Sequence, residues 1–163
     1  MAMQYDVKSF HVMTGTPTGI SQRTRLKGAI VSNSVSGTPA NVLFANNAYI
    51  SSTYNVPGST TCTVTTSTAH GLTTGDRVWL DFTSGSSTDN VYTVTVTSTL
   101  AFTVTVASAT TSGNVRVYTQ VLMEVDITNS VPVSVFVPGE GILATDGIFV
   151  GTPANIAATV FYG

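Results

Sequence analysis

The residues able to do acid–base or nucleophilic chemistry are few in this chain and far apart. His11 and His70 are its two histidines, and neither stands near a second ligand at metal-site spacing, so a zinc site or a histidine dyad would have to be assembled from distant residues. Cys62 is the single cysteine, which excludes an intrachain disulfide and a multi-cysteine metal centre. In TTCTVTT it alternates in phase with Val64, the position of a small buried hydrophobe. No G-x-S-x-G elbow, P-loop, Rossmann glycine run or H-E-x-x-H is present, and Ser or Thr without a partnered base is an ordinary hydroxyl. Glu124 and Asp126 occupy alternate positions of an expected strand and point to one face, with Met123, Val125 and Ile127 on the other. Two such carboxylates serve glycoside hydrolysis only inside a substrate cleft, and a solvated or interfacial strand face is the simpler reading. Asp81 and Asp89 lack the dense alternation of a calcium loop. The expectation is a chain without catalytic residues, metal or cofactor.

Residues suited to contact are easier to find. Arg23, Arg25 and Lys27 are three of the six basic residues and fall at every second position, so a strand presents all three on one face. They are either a contact strip for an acidic neighbouring subunit, where Arg bonds carboxylates in bidentate fashion, or the charges that keep an edge strand from aggregating. Trp79 is out of phase with Val78, Leu80 and Phe82, which leaves it either exposed for stacking on a sugar or protein, or packed between parts of the chain. Phe136 is likewise out of phase with the Val131, Val133, Val135, Val137 stripe, so one of two apolar faces is free to meet another subunit.

Composition supports contact over solution chemistry. Only 9% of the 163 residues are charged and the formal net charge is -2, against roughly a quarter charged in ordinary soluble domains. So weakly self-repelling a surface suits a protein that lives assembled, and it gives no electrostatic reason to bind nucleic acid or an anionic membrane. No apolar run approaches the roughly 18 residues of a membrane span, and MAMQYDVKSF has neither a basic nor an apolar leader region. The chain is expected to be neither exported nor membrane-spanning.

The elements that must position these residues are strands. Short β-branched segments bounded by Gly, Pro, Asn or Ser recur along the sequence. Strands are expected over 26–32, 41–44, 49–54, 62–66, 77–82, 91–97, 102–107, 114–127, 131–137, 141–150 and 156–162. Their number and spacing point to an all-β fold, an antiparallel β-sandwich or barrel of jelly-roll type. From Ser59 to Ser112 the chain is nearly a Thr/Ser/Val polymer, whereas the flanks carry more Asn, Ala, Ile and Phe. Residues 1–57 and 119–163 are therefore expected to form one flanking domain, with 58–118 as a small inserted β module. GTPAN occurs at Gly37–Asn41 and again at Gly151–Asn155, each copy reading as a β-turn feeding a strand.

Two stretches carry a resemblance. AHGLTTGDRVWLDF, with His70, Gly71, Leu72, Gly75, Asp76 and Val78, followed by NVYTVTVTSTLAFTVTV, resembles a small β module common in bacteriophage tail and head proteins, with Val91 where that module has Gly after Asn90. Gly71 and Gly75 permit a tight turn and Asp76 can accept nearby backbone amides, so the signature is a turn and not a catalytic one. In the flanks, RTRLKGAIVSNS and VPGEGILATDGIFV with NIAATVFYG are similar to small phage virion proteins. The resemblance implies a virion structural protein, most readily a capsid decoration (cement) protein assembled in the host cytoplasm. It implies a homotrimer bound to the major capsid protein, with the inserted module projecting outward. The alternative it leaves is a tail or receptor-facing virion protein whose module binds a host surface glycan, with Trp79 or Tyr92 as stacking platform.

Overall fold

The computed structural model describes residues 7–13, 18–35, 40–128, 130–153 and 155–163. Its regular structure is all strand, with no helix among the described residues, which suits a chain so rich in Val and Thr. The strands are, first, Lys8–Val12 (β1), Thr18–Ile20 (β2), Thr24–Asn33 (β3), Ala40–Asn46 (β4), Ile50–Thr66 (β5), Arg77–Phe82 (β6) and Asn90–Thr93 (β7). There follow Thr95–Ser98 (β8), Ala101–Tyr118 (β9), Val121–Ile127 (β10), Val133–Phe136 (β11), Ile142–Ala144 (β12), Ile148–Gly151 (β13) and Ile156–Tyr162 (β14).

The chain divides into two compact units, Met1–Asn47 with Leu122–Gly163, and Ala48–Val121. These divisions lie outside the boundaries read from the sequence, by ten residues at the first crossing. The reason is local. Val56, Pro57 and Gly58 read as a linker, but they form a bulge within β5, where pairing with β9 shifts register around Ser59 and Gly58 takes a φ of 75°. Residues 50–57 are already paired with β9, from Ile50 opposite Val117 to Pro57 opposite Thr110, so they belong to the second unit. The expected strand 114–127 is broken at Thr119 and Gln120, where the chain returns to the first unit.

The first unit is an open two-sheet sandwich and not a closed barrel. One sheet runs β1-β14-β3-β11, with β12 also on β3, and the other runs β10-β4-β13-β2. Their inner faces share one core, with Leu26, Val31 and Val160 from the first sheet against Phe44, Val125 and Ile148 from the second. Removing each of these from water contributes roughly 1.5–3 kcal/mol. The turn between β12 and β13 is pinned by buried Asn46, whose amide donates to Thr145 Oγ1 at 2.9 Å and to Asp146 Oδ2 at 2.8 Å. The first GTPAN copy lies largely outside the described residues. In the second, Asn155 takes a φ of 69° just before β14, the turn-tolerant role its side chain allows.

In the second unit the order is β5-β9-β6-β7, with β8 also on β9. The bulge divides the long β5–β9 pair in two: one end of β9 pairs with β6 through Val115–Tyr118 and the other with β8 through Ala101–Thr103. The unit has its own core, including Val56, Cys62, Val64, Leu80, Phe102 and Val117.

Candidate interaction surface

Strand β3 carries Arg25 and Lys27 of the basic strip, with exposed Arg23 just before the strand begins, and a bulge in β3 decides where the strip faces. Arg25 and Lys27 alternate with buried Leu26, so both point away from the core. Two residues later the phase reverses, because Ala29 and Val31, also odd-numbered, are core residues. The register against β14 explains the switch: Phe161 sits opposite Gly28 and Tyr162 opposite Leu26, which leaves Lys27 as an extra residue. A β-bulge of this kind resets side-chain alternation. Without it, either the cations or the valines would be on the wrong face.

Gly28 also creates the aromatic part of this face. It is paired with Phe161 of β14 on one side and Phe136 of β11 on the other, and having no side chain it lets the two rings meet across it. Their centroids lie 6.1 Å apart at an interplanar angle of 23°. Phe136 remains 69% exposed, as its phase against the valine stripe implied. Together with Val7, Lys27, Val137 and Gly139 the pair lines a concavity of about 250 Å³. Beside it Arg23, Arg25 and Leu143 line a second. Arg25 Nη2 lies 3.2 Å from Glu140 Oε2, and its Nη1 donates to the Gly141 carbonyl at 3.4 Å. Four of the five contact candidates, Arg23, Arg25, Lys27 and Phe136, thus belong to one region of the first unit. Sequence reasoning did not single out Phe161 as the partner of Phe136; its alternation with Val160 was the available signal.

Trp79 stands apart from them. It is fully buried, so its ring is not a stacking platform for a sugar. Tyr92 is half-buried edge-on to Phe82, and its hydroxyl donates to the Thr88 carbonyl at 2.6 Å. The more exposed ring of this unit is Tyr49, passed over in the sequence. Arg116 lies over it at 5.1 Å and holds Asp81 at 3.2 Å.

His11 lies exposed on β1 with its Nδ1 3.0 Å from Thr159 Oγ1, and most of the remaining chemically interesting side chains are taken up by structure. His70 is buried, its Nε2 donating to the Ser98 carbonyl at 2.9 Å and its Nδ1 accepting the Leu72 amide at 3.0 Å, which fixes the tautomer. Its ring meets Phe102 edge-on. Asp76 accepts the Thr73 amide at 2.8 Å, and Gly71 and Gly75 have φ of 66° and 101°. The HGLxxGDxV segment is therefore a turn, shaped by its glycines and Asp76 and tied to Val94 and Ser98. Cys62 is buried, and burial pushes its thiol up to about 11, the opposite of an activated nucleophile. Asp89 accepts the Phe82 amide at 2.7 Å, and burial raises its carboxyl. Glu124 and Asp126 do share the outward face of β10, where Glu124 accepts the Asn41 amide at 2.9 Å. Among the described residues no three His, Cys, Asp or Glu side chains converge as metal ligands would. Comparison with family models, with curated proteins and with solved structures finds no match to this chain.

Proposed function

We propose that the chain is a bacteriophage virion structural protein that acts by binding alone, as a capsid decoration (cement) protein bridging major-capsid subunits. The observation that carries this reading is the open face of the first unit, where an exposed phenylalanine stands among cations, while His70 and Cys62 are buried and Asp89 is bonded to the Phe82 amide. A surface of this kind suits an interface, since an aromatic anchor ringed by polar groups is how most binding energy is concentrated. The resemblance of both units to phage head and tail proteins supplies the setting. In this reading the first unit makes the assembly contacts, as a homotrimer, and the second unit projects outward. Many such contacts stabilise the closed shell by mass action, because each copy binds the assembled state and not the separated subunits.

Co-sedimentation of the purified chain with empty capsids of the phage that encodes it tests the reading. Saturable binding with a gain in capsid thermal stability is expected. Absence of binding, with retention instead on host envelope glycans, would replace it with the receptor-facing alternative.

A further inference from the structure

The basic aromatic face of the first unit has its electrostatic complement on the same molecule, and the two cannot meet within one copy. Arg25 and Lys27 lie on the outward face of the sheet that contains β3. Glu124 and Asp126 lie on the outward side of β10, at one end of the strand order of the other sheet of the sandwich. Because the inner faces of both sheets share one core, the two charged strips look away from each other. We infer that a second copy of this chain occupies the β3 face, presenting its β10 edge so that Glu124 and Asp126 of one copy meet Arg23, Arg25 and Lys27 of the next, with Phe136 and Phe161 as the apolar anchor.

Charge fixes the symmetry of this contact. An isologous arrangement about a two-fold axis on the β3 face would set Arg23, Arg25 and Lys27 against their own copies, a repulsion that Glu140 beside Arg25 offsets only in part. Head-to-tail packing pairs unlike charge at every junction and closes as a ring if the rotation allows. Within one copy Glu140 already neutralises part of Arg25, so Arg23 and Lys27 carry most of the demand for an external carboxylate. Among the described residues β10 stands at the end of its sheet's strand order, which leaves it within reach of a second copy. Phe136, 69% exposed, then gains the burial that its own copy does not provide.

This inference rests on the self-association included in the proposed function, and sedimentation velocity at micromolar concentration separates the two. Wild type is expected as a discrete oligomer. Arg23→Glu with Lys27→Glu, Asp126→Lys alone, and Phe136→Ser are each expected to weaken association about tenfold or more, with circular dichroism unchanged. The chain carrying these charge reversals together with Glu124→Lys is expected to re-associate, because the β3 strip is then net acidic and the β10 strip basic. Arg77→Glu, in the second unit, controls for net charge and is expected to have no effect. A monomeric wild type would overturn the inference. So would an oligomer indifferent to the reversals, or one strengthened by Arg23→Glu with Lys27→Glu, as a two-fold contact would be. The decoration reading falls separately, by failure of the wild type to bind capsids.

Discussion

Phe136 and Phe161 come from strands on opposite sides of β3, and their rings stack over the one residue between them that has no side chain, Gly28. A methyl group at Gly28 would meet the Val135 carbonyl oxygen and the Phe136 backbone, neither of which can rotate away. Gly28→Ala is therefore expected to destabilise the first unit by about 3 kcal/mol. Gly139→Ala, on the same face, has a φ of 68° but open space around the site, so only the left-handed backbone penalty applies, about 1 kcal/mol. Urea midpoints of the two variants check the order. Equal values would mean that the close approach at Gly28 is not a constraint.

His70 holds the turn of the second unit through both ring nitrogens. Replacing it with Ala leaves the Leu72 amide and the Ser98 carbonyl without these partners and removes the edge contact to Phe102. A loss of about 2–4 kcal/mol is expected, from one vacated donor, one vacated acceptor and the lost packing. Hydrogen exchange at Leu72 and at its neighbours should accelerate while the first unit stays protected. An unchanged unfolding midpoint would show that the turn does not need its histidine.

Stability should fall on the alkaline side. Burial raises Cys62 from 9.0 to about 11, and it raises Tyr92 from 10.0 to about 12, helped by the nearby Cys62 and Asp89. Tyr118 goes from 10.0 to about 12, again mainly by burial, with the Asp81 charge adding to it. In each case the folded chain keeps its proton after the unfolded chain has lost it. The stabilisation is complete below about pH 9 and is lost as pH rises through 11 to 12, at about 1.4 kcal/mol per pH unit and group. Tyr92→Phe removes one of these groups and should flatten the upper part of the decline. Urea titrations between pH 8 and pH 11 measure it; a midpoint constant over that range would contradict the burial of these groups.

The second unit should be removable at its own borders. Ile50 is paired with Val117, so its two ends leave close together, and a short Gly/Ser linker from Asn47 to Leu122 closes the gap at little entropic cost. This shortened chain is expected to retain cooperative unfolding and β-type circular dichroism. A deletion that joins Asn55 to Gln120 instead strands residues 50–55 without β9, leaving a free strand edge, and should aggregate. If the second deletion behaves as well as the first, the division at Asn47 has no energetic meaning.

Much of the fold was legible because alternation is local. The valines of β9, the opposed faces of β10 and the outward phase of Phe136 all follow from a period of two. Bulges are where that reading stops. Nothing in RLKGAIV says that Lys27 is an extra residue, since the fact belongs to the register with β14, and Val56-Pro57-Gly58 carries the residues of a linker while serving as a kink inside a strand. Trp79 shows the same limit from another side. Its phase places it opposite Val78 and Leu80, but whether that face is covered depends on packing far away in sequence. The contact residues on β3 and β11 were visible singly; that they share one surface depends on pairing through Gly28.

Whether this chain is, as proposed, a shell protein that works by occupancy is tested most directly by a cryo-EM reconstruction of the assembled phage particle. Density for the first unit is expected at many symmetry-related positions on the head, bridging major-capsid subunits, with the second unit directed outward. Density confined to the tail, or absent from the particle, would contradict it.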